Sequence, residues 1–167
     1  MENVTINKSI HLSEHFTLGE VTKSRHAEIY NIPSHVAIEN LKRVCVWLEE
    51  LRRRYNLRYV LRSVSPPELG GEKDTPIIIN SGYRSPELNR KVGGSATSNH
   101  LTGCAVDIRV VGIEQAMRYA VILMDYADET KQDYDEIIIE KNRYGAIWVH
   151  FAVRPKDNRR KTLFIKK

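Results

Sequence analysis

The sequence predicts an α+β fold: a small, mostly antiparallel sheet with helices packed on it, in a single domain. Three observations predict it. The run 36–55 places Leu41, Val44, Cys45, Leu48, Leu51 and Tyr55 at helical spacing. Two apolar runs, 134–140 and 146–153, flank a short polar turn at 141–145, which is the pattern of a β-hairpin. No linker, repeat or second composition interrupts the 167 residues, a length close to that of one ordinary domain.

The elements follow in order. Thr17-Leu18-Gly19-Glu20 is a capping box, and Phe16 and Val21 are placed as its hydrophobic staple, so a short helix should end near Ser24. Ser34 caps the long helix 36–55, which reads as core scaffold. The turn-rich stretch 65–72 reads as a connector. Residues 76–81 form a strand that feeds Gly82-Tyr83-Arg84. Ser85 then caps a helical turn with Pro86 in its first position, and Gly93 ends it. Residues 105–111 read as a buried strand. A further helix is expected over 113–126, with Ile113, Met117, Ala120, Val121 and Met124 as its core stripe. After the hairpin, residues 162–165 add an edge strand. The domain covers 1–167, with 1–11 and 156–167 peripheral.

Composition excludes several classes of function. No run approaches the roughly 20 apolar residues of a membrane-spanning helix. Residues 1–8 lack a basic start followed by an apolar core, so the chain is expected to be cytoplasmic as synthesised. The two cysteines, Cys45 and Cys104, are expected to be free thiols. The net charge of +5 is compatible with anionic partners. The Arg52-Arg53-Arg54 run reads as the solvated end of a helix, where cations suit the dipole. No stacking-aromatic pattern accompanies the basic residues, so nucleic acid is not the expected partner, and the chain is expected to be a monomer.

The chemistry is concentrated in Ser98-Asn99-His100-Leu101-Thr102-Gly103-Cys104-Ala105-Val106-Asp107 and in Trp148-Val149-His150. Two imidazoles and a carboxylate are ligands with which catalytic zinc keeps a position open for water. Gly103 allows a turn between His100 and the strand, and Asp107 interrupts an apolar run. A buried carboxylate is costly unless it is paired or holds a metal. The competing reading pairs Asp107 with an arginine and leaves His100 in a surface loop. The histidines His11, His15, His26 and His35 precede these motifs and read as surface or packing residues.

The segment 98–107 fits the pattern Ser-x-His-x-x-Gly-x-Ala-x-Asp and is followed by a Trp-x-His strand. Together with Ser81-Gly82-Tyr83-Arg84-Ser85-Pro86, Asn89 and Gly93-Gly94-Ser95, it resembles the zinc D-alanyl-D-alanine carboxypeptidases. That family includes peptidoglycan carboxypeptidases and phage L-alanyl-D-glutamate endopeptidases. The opening 12–21 resembles the start of the family's short single-domain members, so the likeness spans 12–153.

The resemblance implies one zinc ion per chain held by His100, Asp107 and His150, with peptidoglycan stem peptides as substrate. It places Arg84 in the active site, holding the substrate or its developing charge, a task that suits a guanidinium fork. Ser98 is a weaker candidate for a substrate contact, or else it orients the His100 turn. The missing export signal is compatible with a phage or prophage lysin. In one respect the sequence departs from the family. Many members carry Glu three residues before the final His, where this chain has Ile147, and some carry His two residues before it, where this chain has Trp148. Glu140 is the expected general base, provided that it pairs opposite Trp148; a slip of one residue turns it away. Loss of the usual Glu also leaves open a catalytically inactive zinc-containing module that binds cell wall.

Overall fold

Local signals of the chain start each helix. Thr17 accepts from the Glu20 backbone N–H while the Glu20 side chain accepts from Thr17, and this box opens α1 (Leu18–Thr22). Ser34 caps α2 (His35–Tyr55) through the Ala37 N–H, and Ser85 caps α3 (Pro86–Lys91), with Pro86 in the first turn. The computed structural model describes residues 7–60 and 74–166; the expected connector at 65–72 lies outside them. A π-helical turn, Asn56–Val60, prolongs α2.

Five strands form one sheet in the order β1-β2-β4-β3-β5: β1 (Ile79–Ser81), β2 (Ala105–Arg109), β3 (Glu136–Lys141), β4 (Ile147–Ala152) and β5 (Lys161–Lys166). All neighbours are antiparallel except β3 and β5, which run parallel. The fold is therefore the expected α+β arrangement. Alternation divides the sheet into two faces. Val106, Ile108, Ile137, Ile139, Val149 and Phe151 join the hydrophobic core with α2 and with α4 (Gly112–Thr130). Trp47 of α2 sits at the centre of that core, with ring centroids 5.4 Å from Phe151 and 4.8 Å from Tyr126. The opposite face carries Asp107, Glu136, Ile138, Glu140, Trp148 and His150.

Several expectations need correction. The strand expected at 76–81 is regular only from Ile79, although Ile77 still enters the core. On α4 the buried residues are Ala116, Tyr119, the expected Ala120, Ile122, Leu123 and Ala127, whereas Ile113, Met117 and Val121 are exposed. Small alanines let α4 pack closely against α2 and the sheet, and that fit outweighs the larger apolar side chains one step around the helix. The helix also runs past the expected end, to Thr130.

Charged groups are less solvated than expected. Arg54 ties α2 to α4 by bonding Glu50 at 2.9 Å and Glu129 at 2.7 Å. The edge strand expected over 162–165 is present as β5 at the edge of the sheet. Two buried or half-buried acids draw that segment in: Arg159 bonds Asp135 at 2.7 Å and Glu136 at 2.9 Å. Cys45 and Cys104 are free and buried. No helix among the described residues is long and apolar enough to cross a membrane.

Candidate metal centre

Three separate elements deliver one cluster. Asn99–Thr102 form a single 3-10 turn, capped at its start by Ser98, whose Oγ accepts from the His100 N–H at 3.3 Å. Gly103 ends the turn in the left-handed region at φ 73°, and a side chain there would bring its Cβ to 2.4 Å from the Ala37 carbonyl oxygen. The chain thus turns sharply into β2, which carries Asp107. Register places Asp107 directly opposite His150 of β4. His100 Nε2 lies 3.2 Å from Asp107 Oδ1, and His150 Nδ1 lies 3.0 Å from the same oxygen. All three side chains are buried, and one ligand atom from each falls within 4.8 Å of the others.

The orientation of His100 is set by the backbone. Its Nδ1 donates to the Gly82 carbonyl at 2.7 Å. A carbonyl only accepts, so the proton of the neutral ring sits on Nδ1 and the Nε2 lone pair faces the carboxylate. Gly82 in turn is pressed against α1: a Cβ at this position would lie 2.2 Å from the Val21 carbonyl oxygen. Burial lowers the His100 pKa below its ordinary value, against the attraction of Asp107. A neutral imidazole therefore directs its lone pair at a carboxylate oxygen, an arrangement that a cation between them would satisfy. Two imidazoles and one carboxylate are also a donor set that zinc accepts. The residues fit the metal.

Asp107 remains ionised. Burial works to raise its carboxyl pKa, but its contacts with the two neighbouring imidazoles outweigh burial and hold it far below the usual carboxylate range. Its second oxygen, Oδ2, accepts from Arg84 Nη2 at 2.5 Å, and Arg84 Nε donates to Ser81 Oγ at 2.9 Å. Both sequence readings of Asp107 therefore contain part of the geometry. The carboxylate does pair with an arginine, but His100 is buried beside it rather than exposed in a loop. Burial opposes charge on His150 as well, yet Asp107 and Glu136 together raise its pKa to about 9.

The cluster opens onto a cavity of about 610 Å³ whose lining includes Arg84, Ser98, Glu136, Glu140, Trp148 and His150. The β3–β4 register pairs Glu140 with Trp148, the condition on which its placement depended, and Glu140 shares the sheet face of His150. Ile147 sits on the other face, packed against the core. Ser98 lines the cavity while its Oγ caps the His100 turn. Cys104 is not part of the cluster.

Sequence reasoning missed Glu136. Its Oε2 lies 3.4 Å from His150 Nε2. The register supplies the signal: Ile138 is opposite His150, so Glu136, two residues back, is its diagonal neighbour on the same face. The contact with His150 lowers the Glu136 pKa to about 2, against partial burial. Beside it, Asp135 is fully buried and accepts from Arg159 and Asn99.

No curated protein matches the sequence. Residues 68–136, roughly two fifths of the chain, match the family model described as Peptidase M15. That segment contains Arg84, His100 and Asp107; His150 lies beyond it and is brought in by the pairing of β4 with β2. Over residues 68–136 the chain is similar to the Peptidase M15 family, and the motif order and cluster geometry agree with that match.

Proposed function

We propose that this chain is a zinc peptidase that hydrolyses peptide bonds in peptidoglycan stem peptides, as a D,D-carboxypeptidase or an L,D-endopeptidase. The observation that carries the reading is the meeting of His100 Nε2, His150 Nδ1 and Asp107 Oδ1 at the floor of an open polar cavity. These three side chains would hold one zinc ion. Bound there, the ion would supply Lewis acidity and a water of lowered pKa.

The chain's own groups divide the remaining tasks. Glu140, on the cavity wall, accepts the proton of the attacking water and passes it to the leaving amine. Arg84 is pinned by Ser81 and Asp107 through Nε and one Nη2 hydrogen, and a guanidinium has further N–H donors for the charge growing on the scissile carbonyl oxygen. Its ion pair with Asp107 also keeps that carboxylate charged. Ser98 serves the site by capping the His100 turn. Trp148 offers an apolar wall beside Glu140.

The test is zinc-dependent release of amino groups from purified peptidoglycan, with mass spectrometry of the products. The protein is assayed as purified, after chelation and after zinc is restored. Cleavage that chelation abolishes and zinc restores supports the peptidase, and the product masses name the bond. Ile147, an apolar residue where many relatives have Glu, motivates a second reading, an inactive zinc-containing module that binds cell wall. It predicts one zinc per chain, retention on peptidoglycan and no cleavage. A chain that holds no zinc and cleaves nothing refutes both.

A further inference from the structure

We propose that Glu136 is the positioning residue of the metal centre: it receives the Nε2–H of His150 and so commits Nδ1 of that ring to the ion. The inference rests on the reading of His100, Asp107 and His150 as the ligand set.

The two nitrogens of His150 face different carboxylates. Nδ1 is 3.0 Å from Asp107 Oδ1, the same atom that His100 Nε2 approaches, whereas Nε2 points away from the cluster, 3.4 Å from Glu136 Oε2. A histidine on a metal gives its lone pair from one nitrogen and its N–H from the other, and the partner of that N–H sets tautomer and ring orientation. His100 already follows this logic with the Gly82 carbonyl as partner. Glu136 is the corresponding partner for His150.

Glu136 is held firmly enough for the task. Its two oxygens face different groups. Oε2 takes the His150 contact and an N–H from Asn99 at 3.1 Å. Oε1 takes Arg159 at 2.9 Å and Lys161 at 3.6 Å. The same Asn99 side chain donates to the fully buried Asp135 at 2.7 Å, and Asp135 is ion-paired with Arg154 and Arg159. Asn99 directly precedes His100, so a single amide side chain links the support of one ligand to the backbone of the other. Arg159 and Lys161 bring β5 and the segment before it into the same support. A carboxylate with this many donors stays ionised and stays in place.

The test compares the wild-type chain with Glu136→Ala and Glu136→Gln by zinc competition against a chromophoric chelator. Metal-free unfolding midpoints are measured alongside, to separate lost affinity from lost fold. Glu136→Ala is expected to weaken zinc binding by about 10- to 100-fold. Glu136→Gln, which keeps an acceptor oxygen, should recover part of that loss. A second measurement needs no variant. Long-range ¹H–¹⁵N spectra of the zinc-loaded wild-type chain should show His150 protonated at Nε2 and metal-bound at Nδ1. Zinc affinity of Glu136→Ala within twofold of wild type, or metal on Nε2 of His150, overturns the proposal. A wild-type chain that binds no zinc removes the metal centre itself, which distinguishes that failure from a failure of Glu136 alone.

Discussion

Adding one methyl group at Gly82 should disable the centre without touching a ligand. In Gly82→Ala the new Cβ would lie 2.2 Å from the Val21 carbonyl oxygen and 2.9 Å from its carbonyl carbon. Both are backbone atoms of α1, so no side chain can swing aside. The strand end has to move away from α1. That movement breaks the bond from the Tyr83 N–H to the Val21 carbonyl, now 2.7 Å, and carries off the carbonyl that holds His100 Nδ1. Overpacking of this kind costs ~1–3 kcal/mol. A lost backbone hydrogen bond adds ~0.5–1.5 kcal/mol. The metal-free variant should therefore lose about 2–4 kcal/mol of stability in urea unfolding. Zinc affinity should fall beyond what that loss explains, because the His100 ring is no longer aimed. A variant with wild-type stability and wild-type zinc affinity would refute the account of Gly82 as the anchor of His100.

Three further outcomes are expected. Glu140→Gln should keep its zinc by chelator competition and lose turnover by about 10²- to 10⁴-fold, as for removal of a general base; equal turnover removes Glu140 from the mechanism. Cys45 is wholly buried, and burial together with the nearby charge of Glu49 raises its pKa to about 12, so a thiol reagent at pH 8 should label it only after denaturation; fast labelling of the folded chain contradicts that packing. In the metal-free protein, Glu136 has its pKa lowered from 4.5 to about 2, so it contributes stability that is present above pH 4.5 and is lost as pH falls towards 2. Unfolding midpoints should drop across that window by the equivalent of about 1–3 kcal/mol, and Glu136→Gln should flatten the drop; an unchanged slope argues against the ion pairs of Glu136.

Much of this was legible in the chain because the signals were local. Thr17 with Glu20, Ser34, and Ser85 with Pro86 each name a helix start through a bond only a few residues long, and the structure has all three caps. The turn at 141–145 announced the β3–β4 hairpin for the same reason. The cluster of His100, Asp107 and His150 was legible because a charged residue in a buried strand needs a partner, and Asp107 stands in such a strand. What escaped depends on register and on packing between distant segments. Glu136 reads as one more acid at a strand entrance until Ile138 is known to face His150. The face of α4 could not be settled by hydrophobicity alone, because two apolar stripes compete and close packing favours the one with alanines. Arg54 and Arg159 read as solvated cations, since their partners Glu129 and Asp135 are far away in the chain. β5 was expected at an edge, but not its parallel pairing with β3 nor its reach to the cavity wall.

That parallel pairing has a kinetic side. A growing polypeptide leaves the ribosome N-terminus first, so His100, Asp107 and His150 are all released before Arg159 and Lys161. β3 and β4 pair as a hairpin, whereas β5 passes to the far side of β3 and lies parallel to it, and it follows β2, β3 and β4 in the chain. A nascent chain therefore presents His100, Asp107 and His150 while Oε1 of Glu136 still lacks its two cations. On the proposed reading, capture of an ion and its secure retention would be successive events, divided by the arrival of one six-residue strand.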